Sequence, residues 1–323
     1  MRSTIPLTVL ATALACSLGT APANARARVF VASYGNDSNP CTFGSPCKTF
    51  QQAVNVVDPG GEVTAIDSAG FGPISINKAI TITSPPGVEA GIVPVAGGNA
   101  IDISAGSTDA IVLRGLTLDG SGVAHNGIVF NSGGGLTVNN CVVQNFAWDG
   151  SNTLTGNGIM IVPTSGAVNF VITNTFASKN GNVGIYYLPL SSASSANGVI
   201  DHVVATANQY GMSINTYNAT GGSAVTAVSN SIASNNTVHG IYIQNGAGTL
   251  AVSIDNTNIS GNASYGIEAV NTPNVNLGRS TITANSIGIV VDTFSDTFNS
   301  YQDNHINGNG QDVYGSLNLY ASK

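Results

Sequence analysis

Charge is what this sequence has least of. Lys, Arg, Asp and Glu together make up 8% of its 323 residues, where about 25% is usual for a soluble domain. The 9 basic and 16 acidic residues leave a formal net charge of −7. Nucleic acid and anionic membrane surfaces are thereby excluded as partners, because both demand clustered Lys and Arg. So few cations also suit a polyanionic substrate such as polygalacturonate badly. Long hydrophobic runs are missing beyond the first 25 residues, so no membrane span is expected. Low charge with many Gly, Asn, Ser and Thr could mean disorder, but an apolar fraction of 42% with regular periodicity excludes that.

The N-terminus carries a targeting pattern. Arg2 precedes an apolar stretch from Ile5 to Leu18, and Ala23-Asn24-Ala25 and Ala25-Arg26-Ala27 both offer a small-x-small cleavage site. Residues 1–25 are read as a signal peptide, with a secreted, periplasmic or cell-surface location. Cys16 follows Ala13-Leu14-Ala15 as in a lipoprotein site, but the leucine such sites carry three places earlier is absent, which favours simple secretion.

Cysteines are few, and each is read separately. Cys41 and Cys47 flank the turn-rich Thr42-Phe43-Gly44-Ser45-Pro46, and in an exported chain a local disulfide is the natural reading. No third or fourth ligand lies near enough for a metal. Cys141 falls at an apolar repeat position and reads as a buried thiol. Residues 26–62 are expected to form an N-terminal cap: a strand at Val29-Phe30-Val31-Ala32, the disulfide loop, and one helix. Ser45 is its expected N-cap and Pro46 its first residue. Phe50, Ala53, Val54 and Val57 share one face at i, i+3, i+4 and i+7.

What the sequence has in quantity is a repeat. Seven glycines each precede an aliphatic residue: Gly127-Ile128, Gly158-Ile159, Gly184-Ile185, Gly211-Met212, Gly240-Ile241, Gly266-Ile267 and Gly288-Ile289, in steps of 31, 26, 27, 29, 26 and 22 residues. Periods of that size mean a solenoid, in which each coil buries its apolar face against its neighbours. A second strand recurs, with expected inward residues Leu118, Val143, Phe176, Val204, Ile232, Ile259 and Ile282. Two residues before these stand Leu116, Cys141, Asn174, His202, Asn230, Thr257 and Ser280, and three after the later ones stand Asn235, Asn262 and Asn285. Small polar residues at an inward bend make sense only when stacked, each amide bonding its own turn and the next coil. Leucine-rich repeats need regular leucines and a helical or extended outer segment, which this chain lacks. Residues 63–323 therefore read as an all-β, single-stranded right-handed parallel β-helix.

The chain resembles the pectin-lyase-like right-handed parallel β-helix proteins over nearly all of its mature length. Asn36-Asp37-Ser38-Asn39-Pro40-Cys41 and Ser45-Pro46-Cys47-Lys48-Thr49-Phe50 look like the cap of small secreted bacterial members of undefined function. Asp303-Asn304-His305-Ile306-Asn307-Gly308-Asn309-Gly310 is similar to their last coil. Val199-Ile200-Asp201-His202 is similar to the Trp-x-Asp-His stretch of pectate and pectin lyases, with Val199 in place of Trp. That likeness would set Asp201 near a calcium ion or a substrate carboxylate. The competing expectation makes His202 one more rung between Asn174 and Asn230. A lyase also needs a strong base, and Arg114, Arg279, Lys78 and Lys179 are scattered over different coils. A polygalacturonase needs several aspartates and a Gly-His-Gly, of which only His239-Gly240 is present; His239 is expected to stack between Tyr210 and Tyr265.

The residue two after each repeat glycine should face outward, giving the column Val129, Met160, Tyr186, Ser213, Tyr242, Glu268 and Val290. Tyr186 and Tyr242, about 9–10 Å apart, are the expected binding residues for a sugar or a partner protein. No cofactor is implied. Calcium is suggested only by Asp292, Asp296, Asp303 and Asp312, which are spread too widely to converge on one ion. The reading is an exported, non-catalytic β-helix contacting glycan or protein. The alternatives are a polysaccharide lyase or glycoside hydrolase acting on an acidic polysaccharide through Asp201 and His202, and a tailspike-like structural oligomer.

Overall fold

The computed structural model describes residues 26–164, 166–190, 195–292 and 298–321. The expected signal peptide, Cys16 within it, and Asp296 lie outside the described residues. The chain winds through three parallel sheets of 12, 10 and 10 strands. One coil runs through Gly135–Asn139 in the first sheet, Val142–Gln144 in the second and Asn157–Ile161 in the third; the next begins at Ala167–Thr173, paired in parallel with the strand one coil back. This is the parallel β-helix expected from the repeat.

The Gly-aliphatic strands form the third sheet, and their register is continuous. Ile128, Ile159, Ile185, Met212, Ile241, Ile267 and Ile289 pair across successive coils and are buried. Stacked aliphatic columns of this kind are how a solenoid removes apolar surface from water, at about 25 cal/mol per Å².

The glycines have a separate reason. A Cβ on Gly211 would stand 2.6 Å from the Gly240 carbonyl oxygen and 2.8 Å from the Asn236 Nδ2; Gly184 meets Gly211 and Asn208 at the same distances. An asparagine of the next coil occupies the space a side chain would need. Those asparagines form a ladder. The backbone N–H and Nδ2 of Asn180 both donate to Asn208 Oδ1 at 3.0 Å. Asn208 N–H and Nδ2 donate to Asn236 Oδ1 at 3.0 and 3.3 Å. Asn236 passes to Asn262, Asn262 to Asn285 and Asn285 to Asn309 in the same way. Each Nδ2 from Asn208 to Asn309 also reaches a strand carbonyl, as Asn208 does to Ala177 at 3.0 Å. Asn262 and Asn285 are rungs as expected. The third expected rung is corrected: Asn236 is buried in the ladder, while Asn235 is exposed at φ 54°.

The second sheet corrects the expected register in three coils. Leu118, Val143, Ile259 and Ile282 face inward, but Phe176, Val204 and Ile232 face outward, and Ala177, Ala205 and Ala233 are buried in their place. The bend is the same in all of these coils: one left-handed residue between the first and second sheets, with the third residue after it facing inward. Phe176, Val204 and Ile232 stand one place earlier and so face out. Asn140, Asn174, His202, Asn230, Asn256 and Arg279 have φ between 45° and 54°. Asn tolerates this region better than most residues because its short amide bonds locally. Asn174, His202 and Asn230 are therefore exposed bend residues, not inward rungs. The inward side of the bend belongs to Thr175, Val203, Ser231, Thr257 and Ser280. The hydroxyls of Thr175, Ser231, Thr257 and Ser280 each donate to the carbonyl two residues earlier; Ser231 Oγ donates to the Ser229 carbonyl at 2.6 Å and accepts the Val203 N–H at 3.1 Å.

The cap has the expected parts with a later helix start. Strand Arg28–Val31 opens the first sheet beside Glu62–Ala65, and Cys41 and Cys47 are disulfide-bonded. The helix spans Phe50–Val56 with Thr49, not Ser45, as N-cap. Asp37 explains the shift: its Oδ1 accepts the Lys48 and Thr49 N–H groups at 2.8 and 2.9 Å, and Cys47 is held by the Phe30 carbonyl at 3.0 Å. Those amides are committed before a helix can use them. Phe50, Ala53, Val54 and Val57 are all buried on the expected face, with the Phe50 ring against Phe71 at 4.9 Å. Among the described residues no helix is long and apolar enough to cross a membrane.

Candidate functional site

Asp201 ends a first-sheet strand, and the left-handed His202 turns its own side chain outward beside it. His202 Nδ1 lies 2.6 Å from Asp201 Oδ2. Asp201 Oδ1 accepts from Asn230 Nδ2 and Ser229 Oγ, each at 2.7 Å, and Asn256 Nδ2 donates to Asn230 Oδ1 at 2.7 Å. These donors, Asn230 foremost, hold the Asp201 carboxyl down at about 2. His202, Asn230, Asn256 and Arg279 line one shallow depression of about 370 Å³. Arg279 is already engaged: its Nε and Nη2 both reach the Asp255 carboxylate, and its backbone N–H donates to Asp303 at 3.0 Å. Asp201 and His202 are thus brought together at the head of a groove whose arginine is neutralised. Lys179 stands in a different depression.

Among the described residues the acidic side chains near the C-terminus do not converge. Asp303 serves the Arg279 backbone, and Asp312 Oδ1 ends the asparagine ladder by accepting from Asn309 Nδ2 at 3.1 Å. Among the described residues no three His, Cys, Asp or Glu side chains gather as metal ligands. Cys141 is a buried free thiol whose pKa burial pushes up to about 11.

The outer face of the third sheet carries the expected column. Val129, Met160, Tyr186, Ser213, Tyr242, Glu268 and Val290 are in register. Tyr186 points outward as expected but is only 6% exposed, packed with Val129, Met160, Val162, Val183 and Leu188. Leu154 packs on the same cluster, Thr153 hydrogen-bonds the Tyr186 hydroxyl, and burial pushes its pKa up to about 12.

The face opens further along. Tyr242 is half-buried and its hydroxyl donates to Gln244 Oε1 at 2.9 Å. Beside it, His239 stacks on Tyr265 with centroids 4.6 Å apart and an interplanar angle of 10°, and meets Tyr210 edge-on at 5.2 Å. This is the expected stacking of His239. What the sequence did not reveal is the His239–Glu268 pair, with Nε2 3.0 Å from Oε2. His239 Nδ1 accepts the Tyr265 N–H at 3.3 Å, which leaves Nε2 to carry the proton toward Glu268. Burial first, then the Glu268 charge, pushes the Tyr242 pKa up to about 12. The register sets Tyr242 opposite Glu268 and leaves His239 three positions earlier, so strand alternation alone would put His239 and Glu268 on opposite faces and gives no signal for the pair.

No protein-family model matches the chain, and neither does any curated protein. Among solved structures it is similar to pectate lyase Pel9A, at 16% identity and a TM-score of 0.48, over 91% of this chain and 77% of that one. It is also similar to the A-module of the Azotobacter vinelandii mannuronan C-5 epimerase AlgE4, at 18% identity and a TM-score of 0.44, over 82% of this chain and 90% of that one. A GH136 lacto-N-biosidase from Eubacterium ramulus shares 10% identity at a TM-score of 0.39, over 91% of this chain and 68% of that one.

Proposed function

We propose that this protein is an exported β-helix that holds polysaccharide, without turning it over, on the outer face of the third sheet. The observation that carries the reading is the row Tyr210, His239, Tyr242 and Tyr265, with Glu268 and Gln244 set among the rings. Aromatic faces stack on the apolar side of a sugar ring, and interleaved polar tips bond its hydroxyls. Binding rather than turnover follows from how the ionisable groups are engaged. Glu268 is paired with His239, Arg279 with Asp255, and Asp201 is held ionised by three donors. A general acid or base needs a proton site free to exchange with substrate.

Affinity electrophoresis through gels containing neutral or acidic glycans tests this. Wild type is expected to be retarded on at least one polysaccharide, and Tyr242→Ala with Tyr265→Ala to migrate freely. Retardation that survives both substitutions refutes the site. Release of unsaturated uronate from pectin or alginate, followed in the ultraviolet and abolished by Asp201→Asn, would replace this reading with the lyase one. Light scattering separates both from an obligate oligomer.

A further inference from the structure

The longest step in the glycine repeat, the 31 residues from Gly127 to Gly158, contains a loop that the other coils lack. That loop runs from Asn145 to Gly156. Thr153 and Leu154 cover Tyr186, as described above. At the other end of the loop, Trp148 stands at a depression of about 790 Å³ lined by Asp119, Ser121, Asn145, Trp148 and Lys179, among others. It lies at the turn between the second and third sheets, apart from the Tyr242 face.

The Trp148 backbone is clasped from two sides. A Cβ on Gly181 would stand 2.6 Å from the Trp148 nitrogen, and one on Gly156, at φ 79°, would stand 2.8 Å from the same atom. The Gly181 N–H donates to the Phe146 carbonyl at 2.7 Å and the Ala147 N–H to the Ala124 carbonyl at 2.7 Å. The indole Nε1 donates to the Asn152 carbonyl at 3.1 Å, which fixes the ring while leaving Trp148 38% exposed.

The polar groups are equally fixed. Asp119 accepts from the Ser121 N–H at 2.7 Å, from Gln144 Nε2 at 2.9 Å and from Asn145 Nδ2 at 3.1 Å. Burial alone would raise the Asp119 pKa, but these three donors and the nearby Lys179 charge hold it below the usual carboxylate range. By binding the NH₂ end of Asn145, Asp119 leaves that amide's carbonyl oxygen as an acceptor. Lys179 follows the strand two coils beyond Asp119, so the two strands are separated by about 9.6 Å. Among the described residues the Lys179 ammonium makes no ion pair, and it brings three donors to the depression.

We infer that this depression is a second carbohydrate site, taking a neutral, hydroxyl-bearing sugar that stacks on Trp148 while its hydroxyls bridge Lys179 and the Asp119–Asn145 pair. One fixed carboxylate and one free ammonium give the site almost no net charge. A neutral polyol can donate to Asp119 and Asn145 and accept from Lys179 at once. A uronate gains Lys179 but must face a carboxylate that stays ionised, and like charges at short range are unfavourable. The site and its ligand class do not depend on the Tyr242 face.

Tryptophan occurs once in the chain, so fluorescence of the full protein excited at the red edge of the indole band, where tyrosine does not absorb, reports on Trp148 alone. The probes are gluco-, manno- and galacto-oligosaccharides, set against oligogalacturonate and oligomannuronate. A saturable change is expected with at least one neutral oligosaccharide, at least tenfold weaker in Lys179→Met and in Asp119→Asn, and unchanged in Tyr242→Ala. The inference is overturned by no saturable response to any neutral probe, by tighter binding of the uronates, or by wild-type affinity in Lys179→Met. A response lost in Tyr242→Ala also overturns it, by assigning the signal to the third-sheet face. Gel retardation that needs Tyr242 but not Lys179, with no neutral-sugar fluorescence response, would uphold the third-sheet reading and remove this site.

Discussion

Replacing Asn236 by alanine should cost far more than replacing Asn235, although the two are neighbours and the sequence pattern favours the wrong one. The Asn236 side chain makes four hydrogen bonds. Its Nδ2 donates to the Ala205 carbonyl at 3.3 Å and to Asn262 Oδ1 at 2.9 Å, and its Oδ1 accepts the Asn208 N–H and Nδ2 at 3.0 and 3.3 Å. At about 1 kcal/mol net per bond the loss approaches 4 kcal/mol. The Asn208 N–H is then buried without its acceptor, so the figure holds even if the neighbouring amide re-pairs, and roughly 3–5 kcal/mol is expected. Asn235 is exposed and left-handed, and Ala207 and Ala284 occupy the equivalent bend in other coils at φ 56° and 55°. Alanine is therefore tolerated there, and Asn235→Ala should cost less than about 1 kcal/mol. Urea denaturation followed by far-ultraviolet circular dichroism gives both values. Hydrogen exchange shows whether protection is lost first in the coils around Asn208 and Asn262, as expected when each coil touches only its neighbours. Equal costs for the two variants, or a larger one for Asn235→Ala, would refute the ladder as the source of stability.

Two further outcomes follow from the same geometry. Gly211→Ala should destabilise by about 2 kcal/mol or more, because its Cβ meets a backbone oxygen at 2.6 Å, whereas Gly44→Ala, with nothing within 4 Å, should stay within about 0.5 kcal/mol; matching melting temperatures would contradict this. Asp201 titrates at about 2 in the fold, below the roughly 3.9 of an unfolded aspartate. Its contribution is complete above the unfolded value and is lost as pH falls toward the folded one, so Asp201→Asn should flatten the decline in melting temperature between about pH 4 and 2. An unchanged acid limb in that variant would show that the donors around Asp201 do not stabilise its charge.

Much of this architecture was legible in the sequence because its signals are periodic. The Gly-aliphatic strands and their outward column were read in correct register, since strict alternation leaves only one phase that buries Ile128 through Ile289. The second sheet was misread at Phe176, Val204 and Ile232 because size was taken as a guide to burial. In those coils the larger residue faces out and an alanine faces in. Counting back two residues from the larger side chain instead of from the alanine lands on the left-handed bend residues at 174, 202 and 230 rather than on Thr175, Val203 and Ser231. His202 is misplaced for that reason, and Asn235 by the same one-residue slip, since counting three on from Ala233 instead of Ile232 gives Asn236.

The candidate sites were less legible because they depend on loops and on contacts between coils. Tyr186 had the right direction, but its cover comes from Thr153 and Leu154, in a loop that contributes nothing to the repeat. Trp148 gave no periodic signal for the same reason. The anomalous length of its glycine step was the visible trace of it. His239 and Glu268 belong to different strands, and strand alternation would put them on opposite faces.

The asparagine ladder also bears on how such a chain can change length. Every rung presents the same two donors toward the C-terminus and the same acceptor toward the N-terminus, spaced 28 residues apart from Asn180 to Asn208 and from Asn208 to Asn236. Duplicating or excising one whole coil would therefore leave matching partners at the join, so the number of coils can vary by unequal recombination without redesign of the interior. The two ends of the described ladder have no such equivalent: the helix that closes the first coil, and Asp312, whose carboxylate receives the last amide of the series.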